Sequence, residues 1–450
     1  MIDLPSLEAN AARLVDFARK AGADSCDVVV ASGESLAVSV REGNVENSNR
    51  SEADALHLRV FCGNRVASVS ANQGNDPEAL AERAVAMARV SPEDPYQGLA
   101  DKGRLFDPKH LAEQNAKLDL LDETAPDASL LEEQALAAEE AGLAVTGITK
   151  SMGSGMGYSR SGFVLATSHG FVGSVERSGF SLSSSLVAGE GTTMERDYEY
   201  DSKTHLADLK SATEIGTAAG ERTVRRLNPS QVPSGAFPIV MDPRISAGVL
   251  GTLCGAINAS SVARKTSFLR DRMGKQVAAG NIRIIDDPLM VRKPGSKLFD
   301  GEGVTCQKLV MVEDGILQDW FLDCATAREL DLETNGRASR SGSGTSPSTT
   351  NCYMEPGTKT PEEMISQISQ GLYLTETIGH GINMVTGDYS KGASGYWIEN
   401  GEIAFPVAEI TVAGNLADMF MNMTPASDLD FKYSTNAPTL LVEGMTIGGK

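Results

Sequence analysis

Residues 237–266 read FPIVMDPRISAGVLGTLCGAINASSVARKT. Gly235 to Met241 is a short apolar strand ended by Asp242-Pro243, and the small and apolar residues from Ser246 to Ile257 predict a buried helix after it. The stretch therefore writes out a strand, a turn and a helix. It contains no histidine and no glutamate, so Cys254 is the helix's one side chain of a metal-ligand type and no carboxylate stands on it to activate water.

Upstream of this unit, Val232-Pro233-Ser234-Gly235 is the best boundary in the chain, because Asn228-Pro229 stops the helical pattern of Leu206 to Leu227 just before it. Two domains are expected, 1–230 and 231–450, with a connecting region at about 91–124 rich in Pro, Gly, Asp and Lys. In the first, Leu7, Ala11, Leu14 and Ala18 recur at helical spacing. Strand-like runs follow at Cys26–Ala31, Leu36–Arg41, Ala55–Phe61 and Arg65–Ala71, the last two joined by a tight turn at Cys62-Gly63-Asn64. Helices are predicted from Asp76-Pro77 to about Val90 and from Ala128 to Gly142, and an antiparallel meander over Thr146–Thr192.

The second half is richer in strands. Hairpins are predicted at Lys308–Leu322, with Asp314-Gly315 at the tip, and at Tyr396–Val407, with Asn400-Gly401 as the turn. Thr360-Pro361-Glu362-Glu363 is a capping box that launches a helix through Ile365, Ile368 and Leu372. Helices and strands are interspersed without regular βαβ repetition. The expected class is α+β, with mainly antiparallel sheets, flanking helices and a strand-rich C-terminal domain.

Composition narrows the function. The chain has 450 residues, 41% hydrophobic and 22% charged, with a formal charge of −20. That charge opposes a nucleic-acid surface; Arg222, Arg225 and Arg226 form one small basic cluster. No run approaches a membrane span, and the N-terminus has neither signal nor transit character, so a cytoplasmic protein is expected. Six scattered cysteines read as reduced thiols. Five histidines, at 57, 110, 169, 205 and 380, never fall within two helical turns of each other, so no zinc site is predicted. The glycines at 153, 155 and 157 precede strand-like residues and read as β-turn rather than phosphate loop. Arg337–Thr350 reads as a flexible surface loop. A Cys352–His380 or Cys254 thiol nucleophile has only the residue types in its favour.

The order of several stretches carries a resemblance. LHLRVFCGNRVASVSANQ at 56–73, the unit ending Ala263-Arg264-Lys265-Thr266-Ser267, TNCYMEPGTKTPEEMI at 350–365, GINMVTGDYSKGASGYWIENGEIAFPV at 381–407 and LVEGMTIGG at 441–449 together resemble the TldD/PmbA family, in its PmbA (TldE) branch. The resemblance implies a metallopeptidase subunit that pairs with a TldD-type partner, as a heterodimer, to act on unstructured peptides in leader removal or antitoxin breakdown. The partner carries a His-Glu-x-x-x-His helix and a late cysteine ligand; here the matching segments are GTLCGAI at 251–257 and LDFKYSTNAP at 429–438. Zinc is thus expected in the partner, with no cofactor, metal ligand or catalytic residue in this chain. Asn351, Tyr353, Gly381 and Asn383 are the expected lining of a peptide channel, holding an extended peptide as in strand addition. The alternatives are a non-enzymatic peptide-binding or regulatory homodimer and an independent peptidase.

Overall fold

Alternating residues of the first half build one sheet. In the computed structural model, which describes residues 2–72, 74–341 and 344–450, it comprises β1 (Ser25–Arg41), β2 (Asn44–Cys62), β3 (Arg65–Ala71), β4 (Ile148–Thr167), β5 (Val172–Ala188) and β6 (Glu195–Lys203). The order is β3-β2-β1-β4-β5-β6, antiparallel throughout. The two runs read as separate strands at 26–31 and 36–41 are one strand. Residues 44–54 of β2, exposed and mostly polar, pair along it. The turn between them has Glu42 and Gly43 at φ 51° and 74°. The buried Glu139 carboxylate accepts both their backbone N–H groups, at 3.0 and 2.8 Å.

Helices cover one face of this sheet. Leu4–Lys20 and Pro77–Val90 bury Leu7, Leu14, Ala81 and Ala88 against Val28, Val30, Leu58 and Val60. Ala128–Leu143 and Ala212–Arg225 cover Val38, Val40, Met156 and Leu182. These last two helices approach so closely that a Cβ on Gly216 would lie 2.0 Å from the Ala138 carbonyl oxygen. The helix expected from Leu206 begins only at Ala212: Ser211 and Glu214 form a capping box there, and 206–208 is a single 3-10 turn. By strand alternation, Ser35, Ala37, Ser39, Gly155, Gly157, Ser159, Ser181 and Ser183 share the face away from the helices.

In the second half Gly235–Met241 runs parallel to Gln370–Ile378 and antiparallel to Leu440–Gly448. Asp388–Glu399 and Glu402–Asn415 extend that sheet, and Thr411–Ala413 pairs back with Thr446–Gly448, closing five strands on themselves. Asn400 and Gly401 take φ 52° and 82° at the hairpin turn. A second sheet orders Ile316–Leu317, Leu309–Glu313, Ile284–Asp286, Cys352–Met354 and Thr435–Asn436. The helix after Thr360 ends at Ile365 rather than continuing to Leu372. Leu372 belongs to the strand beside Ile239, packed so tightly that a Cβ on Gly371 would meet the Pro238 carbonyl at 2.7 Å. Part of the expected 337–350 loop is also regular, since Ala338–Ser341 pairs with Gly344–Pro347; residues 342 and 343 of that stretch lie outside the described residues, as does Gln73.

Ladders stay on either side of residues 204–234, while side chains and an isolated Leu105–Val304 bridge join the halves. Asp27 of β1 holds Arg59 (2.6 Å) and, from the far half, Arg340 (2.8 Å). Phe171 packs edge-on against Phe299 at 5.2 Å. Among the described residues no helix is long and apolar enough to cross a membrane.

Candidate functional site

The helix Pro243–Ala256 sits where the two halves meet, and its start is fixed by Asp242. That carboxylate accepts the Arg244 N–H at 3.0 Å and the Tyr373 hydroxyl at 3.1 Å. Burial, then Asp242, pushes the Tyr373 phenol above its ordinary range. One side of the helix, with Val249, Leu250 and Leu253, enters the main core. The other side presents Gly248 and Gly251 to solvent, and a Cβ built on either meets nothing within 4 Å. Glycine costs a helix interior about 1 kcal/mol relative to alanine, and nothing in this chain's packing requires it at those two positions.

Two clefts flank the first turn of this helix. In one, of about 390 Å³, Arg244 and Arg226 share Asp197 at 3.4 and 3.3 Å, Arg226 also grips Glu376, and Tyr198 forms a wall. Burial opposes the charge on both arginines, but the carboxylates outweigh it and raise both pKa values. In the other, of about 290 Å³, Glu199 binds Arg222 at 2.8 Å and Lys432, whose ammonium lies 4.4 Å from the Tyr200 ring centroid. Burial pushes Glu199 up, yet Lys432 and Arg222 hold it below the usual carboxylate range. The basic cluster read at 222–226 is therefore consumed internally: Arg222 and Arg226 are paired, and Arg225 lies over Tyr396 at 5.2 Å. No sequence signal marks these clefts, because their acids and bases come from positions far apart, 233 residues between Glu199 and Lys432.

The four expected channel residues fall in two places beside the helix. Asn351 is buried; its Oδ1 accepts the Gly295 N–H at 2.8 Å and its Nδ2 donates to the Asp287 carbonyl and Ser296 hydroxyl. Tyr353 is partly exposed, edge-on to Phe431 at 5.1 Å, its hydroxyl 3.5 Å from Lys308 Nζ. Gly381 accepts the Ser390 N–H at 2.6 Å, and a Cβ there would lie 1.4 Å from the Ser390 oxygen. Asn383 is exposed, its Oδ1 accepting the Val385 and Thr386 N–H groups. The helix is what both places share. Cys254 touches Cys352, and a Cβ on Gly255 would reach Met384 at 3.6 Å. No hydrogen bond joins Asn351 or Tyr353 to Gly381 or Asn383 among the described residues.

Donor chemistry at the helix does not fit a metal ion. Its one thiol, Cys254, points inward, 3.4 Å from the Cys352 sulfur, and its exposed face carries neither imidazole nor carboxylate. Among the described residues no three His, Cys, Asp or Glu side chains are grouped to hold a metal. A thiol nucleophile fares no better. Cys352 is fully buried, and its hydrogen bond with Cys254, then burial, pushes its pKa well above the ordinary thiol value. Its sulfur's neighbour is another thiol, while His380 is exposed and His205 binds the Asp119 carbonyl at 2.9 Å.

Comparison with known proteins matches this arrangement to one family. Its three domain models, described as PmbA/TldA metallopeptidase domain 1, central domain and C-terminal domain, match residues 26–88, 114–227 and 234–449. The metalloprotease PmbA of Escherichia coli O157:H7 is 34% identical over 440 residues, covering 95% of this chain and 93% of that one. The chain belongs to the PmbA/TldA metallopeptidase family. A Bacteroides thetaiotaomicron structure named for modulation of DNA gyrase superposes with TM-score 0.89 at 26% identity, covering 98% and 99% of the two chains. TldE from Thermococcus kodakarensis shares the fold, with TM-score 0.83 at 20% identity over 97% and 99%. The PmbA resemblance read from the sequence and the α+β class both stand, and a peptidase-related role follows from the family.

Proposed function

We propose that this PmbA-type chain is the non-catalytic subunit of a heteromeric zinc metallopeptidase. It pairs with a TldD-type chain that carries the metal and helps hold an unstructured peptide for it. The observation that carries the reading is the helix Pro243–Ala256, at the position where the family's metal helix is expected. Its two exposed positions are Gly248 and Gly251, and its one thiol is buried against Cys352. Peptide hydrolysis needs an activated water or nucleophile, and this helix offers a surface instead. A bare helix backbone can be approached closely by a second chain, which is a use for glycines that local packing does not require.

The rest of the chain's contribution is positional. Serine hydroxyls on the sheet face away from the helices present hydrogen-bonding groups, and the glycines between them leave room above the sheet, which suits an extended peptide of variable sequence. Tyr353 and Asn383 are the channel candidates whose side chains reach solvent; Asn351 and Gly381 shape the loops beneath them. A cytoplasmic location and the absence of nucleic-acid and membrane partners belong to the same reading.

The test is reconstitution. Alone, the protein is expected to leave unstructured peptides uncut, and cleavage is expected on adding a TldD-type partner. Losing the glutamate of the partner's metal helix should abolish turnover, whereas Cys352→Ala here should leave most of it. Chelator-insensitive cleavage by the chain alone, lost in Cys352→Ala, would make it a thiol hydrolase and defeat the reading. No activation by any TldD-type partner, with peptide still bound, would favour the non-enzymatic homodimer.

A further inference from the structure

Away from the helix, a separate cavity of about 250 Å³ lies between β4 and β5 on one side and residues 297–301 and 338–340 on the other. Its walls divide by chemistry. Phe163, Val175, Leu298 and Phe299 are apolar and continue into the cluster that joins the two halves. Arg177 and Lys297 add two positive charges.

Neither cation is neutralised by an ion pair. Arg177 donates to the carbonyls of Pro294 at 3.1 Å and Ser296 at 2.9 Å, and no carboxylate lies within 4.0 Å of it or of Lys297 among the described residues. That is unusual in a chain with 60 acidic and 40 basic residues, because a partly buried cation without a counter-ion is costly. Burial alone depresses the Arg177 pKa below the ordinary guanidinium value. Two other charges reach the wall, and both are committed elsewhere. Arg340 is bound to Asp27 at 2.8 Å. Asp300 gives its oxygens to the backbone N–H groups of Glu302, Val304 and Ala338. Burial and Glu302 push Asp300 up to about 7, with Lys297 pulling the other way, so its negative charge is reduced near neutral pH.

We propose that this cavity binds an apolar group bearing a carboxylate, with the apolar part against Phe163, Val175, Leu298 and Phe299 and the carboxylate on Arg177 and Lys297. The volume is just under the lower end of ligand pockets, about 300 Å³, so it admits one ring on a short acid chain rather than an extended ligand. A free aryl carboxylate and the C-terminal residue of a peptide present the same chemistry. The site stands independently of the subunit reading, since it contains nothing from the helix or its clefts.

Calorimetric titration of the full chain with 3-phenylpropanoate and with its amide tests the charge. The acid should saturate at low millimolar concentration and the amide should bind at least about tenfold more weakly, the loss expected for a charge-assisted hydrogen bond. Lys297→Gln should weaken the acid by a similar factor without altering the melting temperature. Arg177→Gln should do the same, although its bonds to the 294–296 turn make it the less neutral change. Gly-Gly-Phe with a free or amidated terminus distinguishes the sources: tighter binding of the free tripeptide than of phenylpropanoate assigns the site to a peptide end, and the reverse to a free acid. Equal binding of acid and amide, unchanged affinity in Lys297→Gln, or no saturation by either acid would overturn the proposal. None of those results would bear on activation by a partner.

Discussion

Single carboxylates do unusually specific work in this fold. Glu139 clamps the β1–β2 turn through two backbone N–H groups contributed by residues almost a hundred positions away. Because that turn is exposed, water replaces part of the bond, and Glu139→Ala is expected to cost about 1–2 kcal/mol in chemical denaturation; an unchanged midpoint would show the clamp to be idle. Asp300 makes a pH-dependent contribution. Burial and Glu302 push it up to about 7. A carboxyl that is neutral folded and ionised unfolded stabilises the fold fully below its ordinary pKa near 3.8, and that stability is lost as pH rises towards about 7. Asp300→Asn removes the titration, so the stability of the variant relative to the parent should climb from about pH 4 to about pH 7 and then level. A difference flat across that window would contradict it. Neither residue was legible in the sequence. Glu139 looks like any acidic position on a helix, and the burial that shifts Asp300 comes from chain distant in sequence.

At the scale of elements, the strand–turn–helix of 235–257 was legible because punctuation and pattern agree there: an apolar run, Asp-Pro, then small residues that a buried helix accepts. The turn residues Asn400-Gly401 fixed their hairpin for the same reason. Where reading failed, a tertiary partner outweighed the local pattern. Residues 44–54 are mostly polar on both faces, so no alternation marks them, yet pairing with β1 makes them strand. Leu372 has helical spacing from Ile365, but the neighbouring Gly235–Met241 strand claims it. The glycines of the 243–256 helix were visible as small residues, not as an exposed face. That face yields a direct prediction. A methyl group at Gly251 meets nothing in this chain, so Gly251→Ala should stabilise the isolated protein by up to about 1 kcal/mol. A loss of stability would mean that the position is packed after all.

Across the whole molecule, the first two matched family domains are not separate in hydrogen bonding. Residues 26–88 supply most of β1–β3 and residues 114–227 supply β4–β6, yet β1 and β4 pair along fourteen registered positions from Asp27 to Val40. The second half attaches to that sheet through Asp27, Arg59 and Arg340 and through Phe299, and the helix with the glycine face lies beside this junction. The clefts at the junction were not legible in the sequence, since β6 and the helix meet the 430–437 segment in one and residues 375–377 in the other. On the proposed reading, this chain supplies shape and not metal to a peptidase assembly. Elemental analysis of the purified chain and of its complex with a TldD-type partner tests it most directly. No stoichiometric zinc is expected in the isolated chain, and zinc in proportion to the partner in the complex; about one tightly held zinc per isolated chain would be the opposite result.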